Sequence, residues 1–237
     1  ANKGAAGNTG GGIPYQGDYT CRAGRDSRSC QTPEPDAGRM TEDEAQAWLR
    51  AEYDVSRETW QRLELFIALL RDEMQRQNLI SQASADSLWG RHIVDSAQLL
   101  RYAPKPEAGK VWLDLGTGAG FPGIVIAILG NYQVQMVESR KRRCEFLNHV
   151  IDQTGIGDHA MVLADRLENI ESFAADVISA RAFAPLDRLI ALSHRFSTKN
   201  TVWLLPKGKN AVRELKGLSP KRQKMFHVEH SLTDPDA

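Results

Sequence analysis

Apolar residues follow two different periods along this chain, and the change of period divides it. From Thr41 to Tyr102 they recur every three or four residues, which predicts helices with a stripe facing the core. One stripe comprises Trp60, Leu63, Phe66, Ile67, Leu70 and Met74, and a later helix carries Leu88, His92, Asp95 and Leu99. The segment Ala103–Gly109 holds two prolines and ends the pattern. We therefore predict an N-terminal helical region over residues 40–109.

After residue 110, short apolar runs alternate with helical patterns. Strands are predicted at Val111–Leu115, Val134–Glu138, Ala160–Ala164, Asp176–Ser179 and Thr201–Leu205. Helices are predicted at Ile124–Leu129, Lys141–Ile151, Leu186–Arg195 and Asn210–Lys216, with a helical turn near Leu167–Phe173. This alternation predicts an α/β fold, a Rossmann-like, mostly parallel sheet with helices on both faces. A last strand-like run, KMFHVEHSL, lies close to the C-terminus.

Composition adds limits on class and compartment. Residues 1–39 hold eight glycines and hardly any aliphatic side chains, so we expect a disordered tail or a segment foreign to the natural chain. The 237 residues carry 30 basic and 30 acidic side chains, which argues against a strongly basic coat. With no apolar run near the roughly 18 residues of a membrane span and no secretory segment, we expect a soluble, cytoplasmic protein. Cys21, Cys30 and Cys144 form neither a disulfide framework nor a metal pair, and we expect no metal.

The most informative stretch is VWLDLGTGAGFPG, from Val111 to Gly123. Gly116 and Gly118 allow a sharp turn and a close approach of ligand to backbone, and the helix that follows would direct free N–H groups at the ligand. About 20 residues on, Glu138 ends the next predicted strand and is placed to accept both hydroxyls of a ribose. Together these features predict a nucleoside cofactor site.

Two cofactors fit this loop. It reads GxGxG from Gly116 and also GxGxxG from Gly118 to Gly123, so the glycines alone do not separate NAD from S-adenosylmethionine. Asp114 favours S-adenosylmethionine, because an acid before the glycines can anchor the loop or meet a methionine ammonium, whereas it would repel a pyrophosphate. A Tyr-x-x-x-Lys pair for hydride transfer is also missing from the sequence. An NAD-binding protein and a nonenzymatic nucleotide-binding module remain alternatives.

From Met40 onward the chain resembles the bacterial small-subunit ribosomal RNA guanine-N7 methyltransferases, the RsmG or glucose-inhibited division protein B family. The resemblance rests on LDLGTGAGFPG at Leu113–Gly123, VESRKRRCEFL at Val137–Leu147 and LPKGK at Leu205–Lys209, and more specifically on LWGRHIVDSAQLL at Leu88–Leu100 and ISARAFAPL at Ile178–Leu186. The resemblance implies a methyltransferase domain over residues 110–237. Methyltransferase sheets usually finish with a hairpin, and we expect the last strand of that hairpin to be absent here.

The resemblance implies a Rossmann-like methyltransferase with S-adenosylmethionine as cofactor and small-subunit rRNA, free or in the assembled subunit, as partner. It implies cofactor contacts from Gly116, Phe121, Glu138, Leu167, Glu168 and Arg181, to which the glycine loop adds Gly118. Phe121 would pack on the cofactor, Leu167 and Glu168 would frame the adenine, and Arg181 would lie where the methyl group leaves. We expect a monomer that uses no metal.

Guanine N7 carries a free lone pair, so methylation there needs positioning rather than a general base. Arg181 is the candidate for that role, since its fork can meet O6 or a phosphate; the alternative is an ion pair to Asp176 or Asp187. Cys144 lies within a predicted helix and is interpreted as a buried residue, and His92 with Asp95 as a structural pair. Two basic runs, Arg140–Arg143 and Lys207 to Lys224, are either solvated faces or an RNA footprint. A small-molecule methyltransferase stays the rival enzyme.

Overall fold

The helical region begins with two capped helices. The computed structural model describes residues 40–106, 109–208 and 210–233, so the predicted tail, residues 1–39, lies outside it. Helix α1 (Glu42–Tyr53) follows a capping box in which Thr41 and Glu44 bond each other's backbone N–H groups. Helix α2 (Arg57–Glu73) is capped by Ser56. Its buried residues are Trp60, Leu63, Phe66, Ile67 and Leu70, which confirms the predicted stripe as far as Leu70. Met74, the last predicted member, is the C-cap residue and is only partly buried.

The later helix of this region is not the regular one that the spacing predicts. After a short α3 (Gln82–Ala85), the chain forms a π-helical turn (Trp89–Val94), then α4 (Asp95–Ala97) and a 3₁₀ turn (Gln98–Arg101). Hydrogen bonds from i to i+5 widen a π turn, so residues three apart no longer stack above one another. The side chains of this segment consequently point in directions that a 3.6-residue period does not give.

Five parallel strands form the sheet. They are β1 (Val111–Leu115), β2 (Gln133–Val137), β3 (Ala160–Leu163), β4 (Ala175–Ala180) and β5 (Ser197–Leu204), in the order β3-β2-β1-β4-β5. The intervening helices are α5 (Gly123–Leu129), α6 (Lys141–Thr154) and α7 (Leu186–Ser193), and α8 (Ala211–Lys216) and α9 (Pro220–Gln223) follow β5. Short 3₁₀ turns occupy Leu167–Asn169 and His194–Phe196. The predicted parallel α/β fold is confirmed.

The run KMFHVEHSL near the C-terminus, residues 224–232, which looks like a strand in the sequence, is not a strand in the structure. The first three residues continue the turn after α9 with backbone hydrogen bonds, and near the end of the run the Leu232 N–H donates to Oε1 of Gln98 at 3.0 Å. A strand needs a neighbouring backbone to pair with, and apolar alternation alone does not supply one.

Apolar side chains pack on both faces of the sheet. On one face, Trp112 of β1, Ile124 of α5 and Phe146 of α6 share a single buried cluster with Trp60 and Phe66 of α2. On the other face, a second cluster is built around alternate strand residues such as Leu113 and Ile178. Within the described residues, no helix combines the length and apolarity that crossing a bilayer requires.

Candidate active site

The strand ends bring the predicted site residues to one edge of the sheet. The register pairs Leu115 of β1 with Val137 of β2 and with Ala180 of β4, so these three strands stop at the same level. Ligands of open parallel sheets bind beyond this edge. The residues that follow the strands there are Gly116, Glu138, Asp165, Arg181 and Lys207.

A buried hydrogen-bond chain anchors the glycine loop. Trp112 Nε1–H donates to Ser179 Oγ at 2.8 Å, and Ser179 donates to Oδ1 of Asp114 at 2.7 Å. The second oxygen of Asp114 accepts the backbone N–H of Gly123 at 3.0 Å. Burial raises the pKa of Asp114 to about 6, and hydrogen bonds from Ser179 and Gly123 counteract this only in part. Of the two roles proposed for Asp114, the geometry supports anchoring the loop.

Two glycines of this loop are required by conformation or space. Gly116 has φ +65°, and a Cβ there would lie 2.6 Å from Cδ2 of Phe183. Gly118 has φ +61°, with Nη1 of Arg143 at 3.5 Å from the corresponding Cβ position. A side chain at either position would be strained, and at Gly116 it would also collide with an aromatic ring.

The start of α5 differs from the prediction of free N–H groups. Gly123 N–H is bonded to Asp114, and Ile124 N–H donates to the Gly120 carbonyl at 2.8 Å. Phe121, just before the helix, is 5% exposed. Its ring packs against Phe66 at 5.2 Å and is stacked with His92 at 4.8 Å between centroids. The Phe121 ring is thus part of the contact between the loop and the helical region.

Glu138 is almost fully buried directly after β2. Its Oε1 accepts the backbone N–H groups of Ser139 at 2.8 Å and Arg140 at 2.9 Å. Its Oε2 lies 3.6 Å from Nη1 of Arg143. One carboxylate oxygen therefore fixes the start of α6, and the other faces a cation beside the glycine loop.

Arginines on α6 connect it to the helical region. Arg143 donates to the Asn78 carbonyl at 3.4 Å, and Arg142 donates to the Arg76 carbonyl at 2.9 Å. Gln77 in turn donates to the Arg142 carbonyl at 3.1 Å. The sequence places these two arginines in a basic run, and in the structure both donate hydrogen bonds to backbone carbonyls of the helical region.

Leu167 and Glu168 lie together on the 3₁₀ turn after β3, at the same edge of the sheet. The Leu167 side chain is buried in the second apolar cluster, and its carbonyl accepts a hydrogen bond from Arg195. Glu168 is exposed. Nearby, hydrogen bonds from Asn169 and from the Arg166 backbone lower the pKa of Asp165.

Arg181, directly after β4, contacts the π-helical turn. Its Nη2 lies 3.0 Å from Nδ1 of His92 and its Nη1 lies 3.4 Å from Oδ2 of Asp95. The ion pair is thus made with Asp95, whereas Asp176 accepts the Val111 N–H at 2.8 Å. His92 and Asp95, expected to pair with each other, have Arg181 as a common partner. Sequence spacing could not have shown this, because the π turn reorients both side chains.

His92 is held neutral. It is 5% exposed, and burial together with the charges of Arg181 and Arg91 lowers its pKa to about 3. A neutral ring whose Nδ1 accepts from Arg181 carries its proton on Nε2. That Nε2 atom is buried without a hydrogen-bond partner among the described residues.

Cys144 is a buried structural residue, as expected. Its thiol donates to the Glu138 carbonyl at 3.2 Å, and burial raises its pKa. Within residues 40–106, 109–208 and 210–233, no group of three or more His, Cys, Asp or Glu side chains is arranged to hold a metal ion.

The second basic run divides into two kinds of residue. Lys207 is mostly buried, with its Nζ 2.9 Å from Glu214 and 3.2 Å from the Ala184 carbonyl, so it is not available as a free phosphate contact. Lys209 lies outside the described residues. The exposed members are Arg213, Lys216, Lys221, Arg222 and Lys224.

A wide groove of about 1640 Å³ extends from Arg181 along β5. Its lining combines aromatic rings with cations. They include Tyr102, Phe183, Trp203 and Phe226 together with Arg91, Arg181, Lys221 and Arg222. We call this surface the basic groove.

Comparison with known proteins identifies the family to which this chain belongs. Residues 59–233 match the model of the GidB family, described as rRNA small subunit methyltransferase G. The chain belongs to this family. Ribosomal RNA small subunit methyltransferase G of Rhizorhabdus wittichii is 50% identical over 203 residues, covering 84% of this chain and 90% of the relative. The same enzyme of Zymomonas mobilis is 50% identical over 204 residues, covering 84% and 91%.

The GidB match confirms the resemblance drawn from the RHIVDS and RAFAPL segments. Among solved structures, a SAM-dependent methyltransferase from Thiobacillus denitrificans in complex with S-adenosyl-L-homocysteine overlaps at a TM-score of 0.41, with 15% identity, 52% of this chain and 54% of that chain.

Proposed function

We propose that this protein transfers a methyl group from S-adenosylmethionine to N7 of a guanine in small-subunit ribosomal RNA. Membership in the family of rRNA small subunit methyltransferase G is the observation that carries the proposal. The anchored glycine loop and the acid after β2 support the cofactor, because they are the elements that a nucleoside needs at this sheet edge.

The residues at the loop fit such a cofactor. Oε1 of Glu138 is engaged by two backbone N–H groups, which leaves Oε2 to accept from ribose hydroxyls in place of its contact with Arg143. Gly116 and Gly118 would hold the methionine end against the backbone. When bound, S-adenosylmethionine supplies the methyl group from its sulfonium.

The other residues predicted to contact the cofactor would do so through their backbone in some cases and through their side chain in others. Because the Phe121 ring is enclosed by Phe66 and His92, we expect its backbone to face the cofactor and its ring to support the loop. Leu167 and Glu168 would contact the adenine from the turn after β3, Leu167 through its backbone because its side chain is buried. Glu168 is exposed and can offer its carboxylate.

Arg181 is the proposed catalytic residue, acting by position. N7 needs no deprotonation, so no general base is required, and alignment of two reactants can lower a barrier by about 7 to 11 kcal/mol. The guanidinium of Arg181 lies against His92 and Asp95. The N–H groups that these contacts leave free would donate to guanine O6 or to a phosphate oxygen.

The basic groove would receive the RNA. Aromatic rings beside cations suit unpaired bases and a phosphate backbone, and the groove leads to Arg181. N7 of a paired guanine lies in the deep major groove of A-form RNA, out of reach of side chains, so the target would be a guanine in a loop or one that is otherwise exposed. We further propose a cytoplasmic monomer that uses no metal and acts on rRNA, free or in the assembled subunit.

Incubation with labelled S-adenosylmethionine tests the proposal. Small subunits lacking the modification, and their free 16S rRNA, serve as the two substrates, and mass spectrometry maps the methylated nucleotide. We expect label at guanine N7. Labelling of a small molecule without labelling of rRNA would support the rival methyltransferase, and tight binding of NADH with none of S-adenosylhomocysteine would refute the cofactor assignment.

A further inference from the structure

The RHIVDS segment of the helical region contacts both the glycine loop and the residue that follows β4. His92 lies between two residues that belong to the sheet edge, with Nδ1 at 3.0 Å from Arg181 Nη2 and its ring stacked on Phe121 at an interplanar angle of 23°. Arg181 follows β4 and Phe121 ends the glycine loop after β1. One imidazole therefore connects two separate chain segments around the proposed methyl donor.

We propose that His92 is a positioning residue that fixes the guanidinium of Arg181 and the ring of Phe121 relative to each other. Asp95 completes the arrangement through charge, because its Oδ2 lies 3.4 Å from Nη1 of the same guanidinium as an ion pair, although Nη1 makes no hydrogen bond among the described residues. The inference rests on the proposed function for the direction in which Arg181 acts, but the contacts themselves do not depend on it.

Neutrality of the ring is essential to this role. A protonated imidazole would present two N–H donors and repel Arg181, whereas the neutral ring offers Nδ1 as an acceptor. Burial and the adjacent Arg181 and Arg91 lower the pKa of His92 far enough to keep it neutral throughout the physiological range. The buried Nε2 has no partner among the described residues, so the side-chain hydrogen bond of the ring is the one between Nδ1 and Arg181, and its stacking contact is with Phe121.

Two substitutions separate the contacts of His92. His92→Phe keeps an aromatic ring against Phe121 and removes the acceptor, whereas His92→Asn keeps an oxygen acceptor close to Nδ1 and removes the ring. We expect His92→Phe to lower methyl transfer roughly tenfold or more and His92→Asn to lower it less. His159→Phe is the matched control, because that histidine bonds the Ala127 carbonyl, away from Arg181.

A double-mutant cycle decides between positioning and simple structural support. If His92 acts through Arg181, His92→Phe with Arg181→Ala should be within about twofold of Arg181→Ala alone. The same non-additivity should be seen in thermal melting without any ligand and in calorimetric affinity for S-adenosylhomocysteine. Losses that multiply, or an Asn variant that is as impaired as the Phe variant while folded, would overturn the proposal.

A spectroscopic measurement keeps the test independent of turnover. Long-range ¹H–¹⁵N correlation spectra should show His92 as the neutral Nε2–H tautomer, with an Nδ1 shift that changes in Arg181→Ala and not in Arg101→Ala. A protonated ring, or an unchanged Nδ1 shift, contradicts the positioning role. If these spectra agree but rRNA receives no methyl group from the unaltered protein, the proposed function fails and the positioning of Arg181 stands.

Discussion

Replacement of Ser179 by alanine is the sharpest test of how the glycine loop is held. The Ser179 hydroxyl is fully buried, accepts the indole N–H of Trp112 and donates to the Asp114 carboxylate. Ser179→Ala leaves both groups without their partner in a place that water does not reach. Each buried group left unpaired costs roughly 1 to 3 kcal/mol, so we expect a loss of about 3 kcal/mol in the free energy of unfolding.

The matched control is Ser193→Ala in α7. Ser193 is equally buried, and its hydroxyl donates to the Leu189 carbonyl, which the helix itself pairs. The same atoms are removed in both variants, so the lost volume cancels in the comparison. Ser193→Ala should cost less than about 1 kcal/mol.

Thermal and urea melting followed by circular dichroism measure the difference. For a domain of this size, 1 kcal/mol corresponds to roughly 2 to 4 °C, so Ser179→Ala should melt about 6 to 12 °C below the unaltered protein. Calorimetry should also show weaker binding of S-adenosylhomocysteine, because Asp114 anchors Gly123. Equal shifts for the two alanine variants would refute the reasoning.

Three further predictions concern the same edge of the sheet. Arg181→Ala should lower the rate of rRNA methylation about tenfold or more. Arg101→Ala, which breaks the partly exposed ion pair with Glu52, is the control and should leave the rate unchanged. Equal rates for the two variants would contradict the role of Arg181. Gly118→Val and Gly155→Val both place a side chain at positive φ, so both variants should lose a similar amount of stability. Only Gly118→Val should abolish the calorimetric binding of S-adenosylhomocysteine. Retained binding would show that the glycine loop does not approach the ligand. Because burial raises the pKa of Asp114 from 3.8 to about 6, the folded state keeps a proton that the unfolded state has lost in this window. The contribution of Asp114 to the free energy of unfolding should therefore fall by about 2 kcal/mol as the pH rises from 4 to 6. This slope should be missing from urea titrations of Asp114→Asn, and identical slopes would count against the raised pKa.

The sequence was sufficient for the sheet and for the edge that carries the site. Parallel strands in alternation with helices place every strand end on one side, so Gly116, Glu138 and Arg181 could be grouped from their positions alone. The hydrophobic stripe of α2 was equally predictable, because a regular helix repeats its buried residues.

What the sequence could not supply was the partner of each polar group. A π turn has no signature in a 3.6-residue period, so residue spacing does not predict the shared contact of His92 and Asp95 with Arg181. Lys207 looked like a surface cation because Glu214 lies seven residues away and comes close only through the fold. Ser179 could have been found from period-two alternation once the register aligned it with Asp114.

The buried cluster shared by α2 and the sheet has a practical consequence for anyone preparing a minimal cofactor-binding fragment. A polypeptide that starts at residue 110 would contain all five strands but would open the packing around Trp112, Ile124 and Phe146 to solvent. Such a bare apolar surface favours self-association over recovery of the native state. An expressed fragment should therefore begin before Glu42. A reporter domain inserted into the protein is better placed in a segment that contributes no side chain to this buried cluster.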